Sequence, residues 1–122
     1  MPKLSDKALL VAAKQILVML IEVDELEGLS IKHLRLIQLM VEQTRQKGRC
    51  TPATLASATG WPRPTISRLL RDLASTTHGP HPAFFTFSAN DKDRRLKIIQ
   101  PTDAAEECRK RVLRKLKDAL TR

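Results

Sequence analysis

Apolar residues recur with helical spacing through the first part of the chain and predict a long helix over residues 6–26. Ser5 supplies the N-cap signal, and Gly28 marks the end of the helix. The apolar positions lie nearly all round this helix: Leu9, Leu10, Val11, Ile16, Leu17, Val18, Leu20 and Ile21. Because one neighbouring layer cannot cover such a helix, we expect a second copy of the chain to cover the rest.

A second predicted helix runs over residues 31–47, between the cap signal Ser30 and a short connector over 48–50. Its periodicity turns one apolar side inward, formed by Ile31, Leu34, Ile37, Met40 and Val41. Thr51 then supplies the next cap signal, and Pro52 occupies the first helical position, where proline is favoured.

Residues 51–73 have the spacing of a helix-turn-helix, in which two short helices pack across a tight turn. Ala56 is small where the helices pack closest, and Gly60 tolerates the positive φ that such a turn often requires. Ile66 and Leu69 direct the apolar side of the second helix back onto the first. An ordinary α-hairpin with a glycine turn is the alternative that these residues alone leave open.

The second helix of this motif presents a basic outer face that suits a DNA major groove, which admits one helix. Pro62 and Pro64 both fall in its predicted first turn, where no intrahelical N–H bond is lost. The residues that we expect to contact DNA from this helix are Arg63, Pro64, Thr65, Ser67, Arg68 and Arg71.

Different positions on that face suit different contacts with DNA. Thr65, Ser67 and Arg68 are short or forked donors suited to base edges, and Arg68 can reach a guanine bidentately. Arg63 and Arg71 lie towards either end of the face and suit phosphates. A solvated face without a partner is the alternative for these arginines.

A β-hairpin and a last helix are predicted after the loop-forming residues 74–82. Residues 84–87 have strand composition and are expected to pair antiparallel with residues 96–100, which leaves 88–95 as the tip. The last helix is expected over residues 103–120. One stripe of this helix is apolar, and its members are Ala105, Cys108, Val112, Leu116 and Ala119.

The order helix-turn-helix, strand, charged hairpin, strand and helix describes a winged helix. Its motifs resemble those of the multiple-antibiotic-resistance regulator (MarR) family of bacterial transcription factors. The matching residues are Ala56, Gly60, Thr65-Ile66-Ser67-Arg68, Asp93-Arg94-Arg95 and Thr102. The resemblance covers roughly residues 30–120. Pro101 departs from the usual leucine, Ala105 stands where the family often has glycine, and the connector over 73–93 is longer than usual.

The resemblance implies a mainly α fold with a small β-hairpin, a winged helix-turn-helix that forms a single domain over residues 1–122. Residues 30–101 would form the DNA-binding lobe, with the wing over about 84–100. Residues 1–29 and 102–122 would supply the dimerisation helices. The residues expected at the dimer interface are Leu9, Leu10, Ile16, Leu17, Leu20, Val112, Leu116 and Leu120.

In the wing, the resemblance implies distinct roles for neighbouring charged residues. Arg95 matches the family's most regular wing arginine, and Asp93 matches the aspartate that orients it through an ion pair. Arg94 and Lys92 are nearer the tip, where they can enter a minor groove or meet its phosphates. A purely structural hairpin turn is the alternative for each of these residues.

The charge balance favours a polyanionic partner. The 122 residues include 22 Lys and Arg against 13 Asp and Glu, which gives a net charge of +9. Residues 51–100 have seven basic and three acidic side chains, and residues 101–122 have seven and four. The excess therefore lies on the proposed DNA-facing half and the last helix, although ribosomal and membrane-surface proteins share such a total.

Cysteine, hydropathy and motif patterns argue against several other classes of protein. Cys50 and Cys108 form neither a disulfide framework nor a zinc site, so no metal or cofactor is expected and a reduced cytoplasmic setting is the default. Arg49 next to Cys50 leaves a redox switch open, with an ordinary thiol as the alternative.

The apolar stretch 8–21 is shorter than the ~20 residues of a membrane span. Without a nucleophile, phosphate-loop or dinucleotide motif, an enzyme is not expected.

These observations predict a homodimeric, sequence-specific duplex-DNA-binding transcriptional regulator, most often a repressor in the family that the chain resembles. That family often binds small phenolic or anionic ligands between the dimer helices and the DNA-binding lobe, so an unidentified effector stays open. A plasmid or phage accessory factor, serving partition, replication or transfer, is the first alternative. A winged helix used for protein–protein contact is the second, and it should lack an uninterrupted basic face.

Overall fold

The structure, a computed structural model, describes residues 5–74, 83–89 and 97–121. These residues form five helices and a two-stranded antiparallel sheet, which confirms the predicted mainly α fold with a small β-hairpin. The elements are α1 (Asp6–Glu27), α2 (Ile31–Lys47), α3 (Pro52–Thr59), α4 (Arg63–Ala74), β1 (Phe85–Ala89), β2 (Lys97–Pro101) and α5 (Asp103–Thr121).

The helix boundaries follow the cap signals of the sequence. The hydroxyl of Ser5 accepts the N–H of Ala8 at 3.2 Å, and the hydroxyl of Thr51 accepts the N–H of Thr54 at 3.1 Å. α3 ends at Gly60, whose φ of 74° favours glycine because a Cβ is strained in this region. The predicted starts of the first three helices and the turn of the helix-turn-helix are therefore confirmed.

The core surrounds α2, which packs against α3, α4, α5 and β2. The largest fully buried side chains are Leu36, Ile37, Met40, Leu55, Ile66, Leu73, Ile99, Cys50 and Cys108. Each buried leucine or isoleucine contributes about 1.5–3 kcal/mol relative to an exposed one. The prediction that Ile31 faces inward is wrong, since Ile31 is the first residue of α2 and its side chain is 63% exposed.

A buried polar contact joins α2 to the beginning of the helix-turn-helix. The side-chain amide of Gln43 donates to the backbone carbonyl of Thr54 at 3.2 Å, and its carbonyl accepts the Thr54 hydroxyl at 2.6 Å. The Thr54 hydroxyl also accepts the N–H of Thr51, which completes a capping box. The orientation of α3 is thus fixed by paired polar groups as well as by apolar packing.

The predicted boundaries differ from the structure at the start of α4 and in the hairpin. Pro62 precedes α4 rather than lying in its first turn, because its carbonyl accepts the N–H of Ile66 and so occupies the cap position. Phe84 precedes β1: its N–H donates to the carbonyl of Leu73 at 3.0 Å, which ties it to the end of α4, while its carbonyl accepts the N–H of Thr102 at 3.0 Å. Pairing continues through Ser88 and Ala89, so the tip begins later than residue 88.

Candidate nucleic-acid interface

α4 is strongly amphipathic, which separates a core side from an outer face. Its buried residues are Ile66, Leu69, Leu70 and Leu73, and each is at most 5% exposed. The exposed residues of the outer face are Arg63, Pro64, Ser67, Arg68 and Arg71, and Thr65 is half-buried. The predicted division of this helix is confirmed, and α4 brings together the six side chains expected to contact DNA.

The outer face has two flanks, which follow from the helical period. Arg63, Ser67 and Arg71 border a cleft next to the hairpin, which they share with Phe87 and Lys97. Arg68 is exposed between this flank and the opposite one. Positive charge therefore extends from the hairpin flank of α4 to the middle of its outer face.

The opposite flank of α4 is joined to the beginning of α2. Nε2 of His33 lies 2.9 Å from a carboxylate oxygen of Asp72. Nδ1 of His33 accepts the backbone N–H of Ser30 at 3.0 Å, so the neutral ring carries its hydrogen on Nε2 and donates it to Asp72. The carboxylate of α4 is therefore oriented towards α2 and keeps its negative charge at the edge of the outer face.

An aromatic residue that the sequence reasoning did not use lies where the chain enters α4. The ring of Trp61 is half-buried, and Nζ of Lys32 lies 5.5 Å from its centroid. The backbone N–H of Trp61 donates to the Thr59 hydroxyl at 3.1 Å. The sequence could have drawn attention to Trp61 because a large aromatic residue directly follows the turn glycine. It could not indicate the contact with Lys32, because Lys32 is distant in sequence.

Comparisons with known proteins show which fold this arrangement of helices and hairpin belongs to. A model of the IclR helix-turn-helix domain matches residues 34–77, a segment that begins within α2 and contains α3 and α4. No curated protein matches the chain in sequence. YusO from Bacillus subtilis is similar in structure, with a TM-score of 0.69 and 17% identity over 95% of this chain and 80% of that one.

Two further solved structures extend the likeness over nearly the whole chain. A cysteine-to-serine variant of MarR from Escherichia coli, in complex with operator DNA, has a TM-score of 0.60 and 18% identity over 92% of this chain and 75% of that one. The chain has the winged helix-turn-helix fold of MarR. BpsR from Bordetella bronchiseptica, whose DNA binding is regulated by 6-hydroxynicotinic acid, has a TM-score of 0.65 and 13% identity over 98% of this chain and 81% of that one.

In the MarR fold the wing extends from the hairpin, and here β1 pairs with β2 so that Phe87 lies opposite Ile99. Lys92, Asp93, Arg94 and Arg95, which were expected to form the charged tip, lie outside the described residues. Their roles in DNA contact and in orienting the wing stay predictions.

The residues expected at a dimer interface of the MarR type fall into two groups. Leu9, Leu10, Leu17 and Leu120 are exposed, by 48%, 73%, 58% and 52%. Four others pack partly buried against the core of their own chain: Ile16, Leu20, Val112 and Leu116. α5 therefore covers one side of α1, and the side that contains Leu10 and Leu17 has no cover within the described part of the chain.

A cavity of about 330 Å³ lies between α1, α2 and α5. Its walls are mainly aliphatic and include Ile16, Leu20 and Val112, and the charged residues Arg35, Glu42 and Arg109 also line it. This volume is at the small end of the range for ligand-binding cavities, about 300–1,000 Å³.

The cysteines of the chain do not favour redox sensing. Burial raises the pKa of the Cys50 thiol from 9.0 to about 11, an effect only partly offset by a hydrogen bond with Thr54. A thiol of this kind is almost entirely protonated near neutral pH and is a poor nucleophile. Cys108 is buried in the apolar stripe of α5.

Neither a metal site nor a membrane span is found in the described ranges. Among these residues no group of three His, Cys, Asp or Glu side chains is placed to hold a metal ion. None of the described helices combines the length and the apolar character that crossing a membrane requires.

Proposed function

We propose that the chain is a homodimeric, sequence-specific duplex-DNA-binding regulator of transcription that acts as a repressor. The observation that carries this proposal is the exposed outer face of α4, which presents Arg63, Arg68 and Arg71. Asp72, the acidic residue of this helix, is hydrogen-bonded to His33 on the opposite flank, so the three arginines outnumber it on α4. The complex of the Escherichia coli MarR variant with operator DNA supports the same use of this fold.

The proposed mode of binding places α4 in the major groove. Thr65, Ser67 and Arg68 would contact base edges, and Arg63 and Arg71 would contact the phosphates that flank the groove. With only two short hydroxyl side chains and one forked guanidinium, α4 would discriminate between bases at only a few base pairs. Lys92, Arg94 and Arg95 would extend the contact into the adjacent minor groove, with Asp93 orienting Arg95.

Dimerisation would make the interface bivalent. Large apolar side chains are exposed on α1 and also on α5, at Leu113 and Leu120, and exposed apolar surface at both ends of the chain favours association. A two-fold axis between copies would present two α4 helices to half-sites about one helical turn apart, or ~10 bp. The homodimer thus links the apolar ends of the chain to its DNA-binding lobe.

Control by a small molecule would use the cavity between α1, α2 and α5. Aliphatic walls with Arg35, Glu42 and Arg109 among the lining residues suit a small, largely apolar molecule. The regulation of BpsR by 6-hydroxynicotinic acid supports effector control in this fold.

Two alternatives predict different partners or contexts. A plasmid or phage accessory factor would use the same fold and the same basic face, and the neighbouring genes would distinguish it. A winged helix used for protein–protein contact is disfavoured, because Arg63, Arg68 and Arg71 are all exposed on one helix.

The regulators that share this fold also support a non-enzymatic role. The cytoplasmic location stays a prediction.

The affinity for duplex DNA is expected to fall steeply as salt rises. Each phosphate contact releases condensed counterions, so the slope of log K against log salt should be about −0.9 for every phosphate neutralised. With Arg63 and Arg71 in two protomers, we expect a slope of about −4 before any wing contact is counted. Fluorescence anisotropy with a labelled duplex would measure it. An affinity that does not change between low and moderate salt would exclude the proposed function.

A further inference from the structure

A cleft of about 310 Å³ separates α4 from the hairpin. Arg63 and Arg71 border it from α4, and Lys97 borders it from the first position of β2. All three side chains belong to exposed residues, and the residues that line the cleft include no Asp or Glu. Three cations from two different elements thus face one concave surface.

An aromatic pair fixes the hairpin side of this cleft. Nζ of Lys97 lies 5.4 Å from the ring centroid of Phe87, within the range of a cation–π contact. Phe87 is 45% exposed, and its ring meets the buried ring of Phe85 edge to face at 5.1 Å between centroids. The Lys97 ammonium is therefore held beside the cleft by a ring that is itself anchored in the core.

We propose that this cleft binds one phosphate of the DNA backbone in each half-site, with Lys97 as the cation supplied by the hairpin. The inference rests on the proposed function, because it needs α4 in the major groove. Phosphates flank a helix in that groove on both sides, and the cleft lies on the flank of α4 that faces the wing. A phosphate entering it would meet Lys97, while Arg63 and Arg71 would contact neighbouring phosphates along the same flank.

This assignment gives the paired strands of the hairpin, at the Ala89–Lys97 end, a role separate from that of the tip. Lys97 contacts the backbone close to α4 and fixes the distance between the reading helix and the duplex. Phe87 is a positioning residue, because it holds the ammonium and contributes an apolar wall that weakens solvent screening of the charge. Neither residue would discriminate between bases.

The first test compares Lys97→Gln with Lys110→Gln, a matched change at an exposed lysine of α5 that does not border the cleft. Lys97→Gln should weaken a selected duplex and a scrambled duplex by the same factor. It should also make the slope of log K against log salt shallower by about 0.9 per protomer. Lys110→Gln should keep the wild-type slope. A wild-type slope in Lys97→Gln would overturn the inference while leaving the proposed function intact.

The second test locates the phosphate. A duplex selected by the wild-type protein is prepared with single neutral methylphosphonates at successive backbone positions. One position in each half-site should weaken wild-type binding several-fold and leave the affinity of Lys97→Gln unchanged. Equal sensitivity of both proteins at every position would refute the cleft as a phosphate site. Failure of the wild-type protein to bind any duplex would instead contradict the proposed function, so the two failures are distinguishable.

Discussion

Replacing Leu17 with glutamate is expected to convert the protein into a folded monomer that binds DNA far more weakly. Leu17 is 58% exposed on the side of α1 that nothing in the described chain covers, so glutamate is tolerated in an isolated protomer. In a two-fold interface the same change places two carboxylates in an apolar contact, where unpaired charges are costly. Loss of bivalency should then reduce the affinity for a two-site duplex by about 10²–10⁴.

Sedimentation velocity and DNA titration of the same preparation would measure both effects. Leu17→Met keeps an apolar side chain at this position and should remain dimeric. Leu116→Glu, which appears equivalent in sequence, is a poorer variant because Leu116 packs partly buried against the core of its own chain. A wild-type protein that is folded and monomeric at micromolar concentration, or a dimeric Leu17→Glu, would contradict the proposed interface.

Replacing Arg68 with alanine is expected to relax sequence preference more than it reduces general affinity for DNA. Arg68 is exposed on the outer face of α4, and a guanidinium there can contact a guanine bidentately. Loss of such a contact costs about 1–3 kcal/mol at the correct base pair. A scrambled duplex should be affected much less, since it offers no guanine in the correct place.

Titration against one selected and one scrambled duplex separates this role from that of a phosphate contact. Arg71→Ala should weaken both duplexes by similar factors and make the salt slope shallower by about 0.9 per protomer. Arg95→Ala is expected to act in the same way, because the wing positions the protein without choosing the sequence. If Arg68→Ala weakens both duplexes equally while Arg95→Ala abolishes the preference, the roles of reading and positioning have been reversed.

The local signals in the sequence were sufficient to predict most helices and the face of α4. Ser5 and Thr51 act as caps because each hydroxyl accepts an N–H three residues ahead, which depends on local geometry alone. The spacing from Ile66 to Leu73 is likewise set by one helical period, and those residues are buried as expected. Local chemistry determines these features, so no partner element needs to be known.

Features that depend on contacts between distant residues could not be predicted. The sequence does not indicate that His33 meets Asp72, that Lys32 meets Trp61, or that Lys97 shares a cleft with α4. The same limit explains why Leu17 and Leu116 looked alike: both are apolar on terminal helices, and only α1–α5 packing distinguishes them. The first strand begins one residue later than predicted because the N–H of Phe84, a residue of strand composition, bonds to α4.

Selection of duplexes from a random-sequence pool by the wild-type protein tests the central claim most directly. Sequence-specific binding by two α4 helices predicts enrichment of an inverted repeat whose half-sites are about one helical turn apart, or ~10 bp. The Arg68→Ala variant should select the same repeat with weaker preference at one base pair in each half. A pool that remains unenriched after repeated selection, although the protein is folded, would contradict the claim that this chain reads DNA sequence through α4.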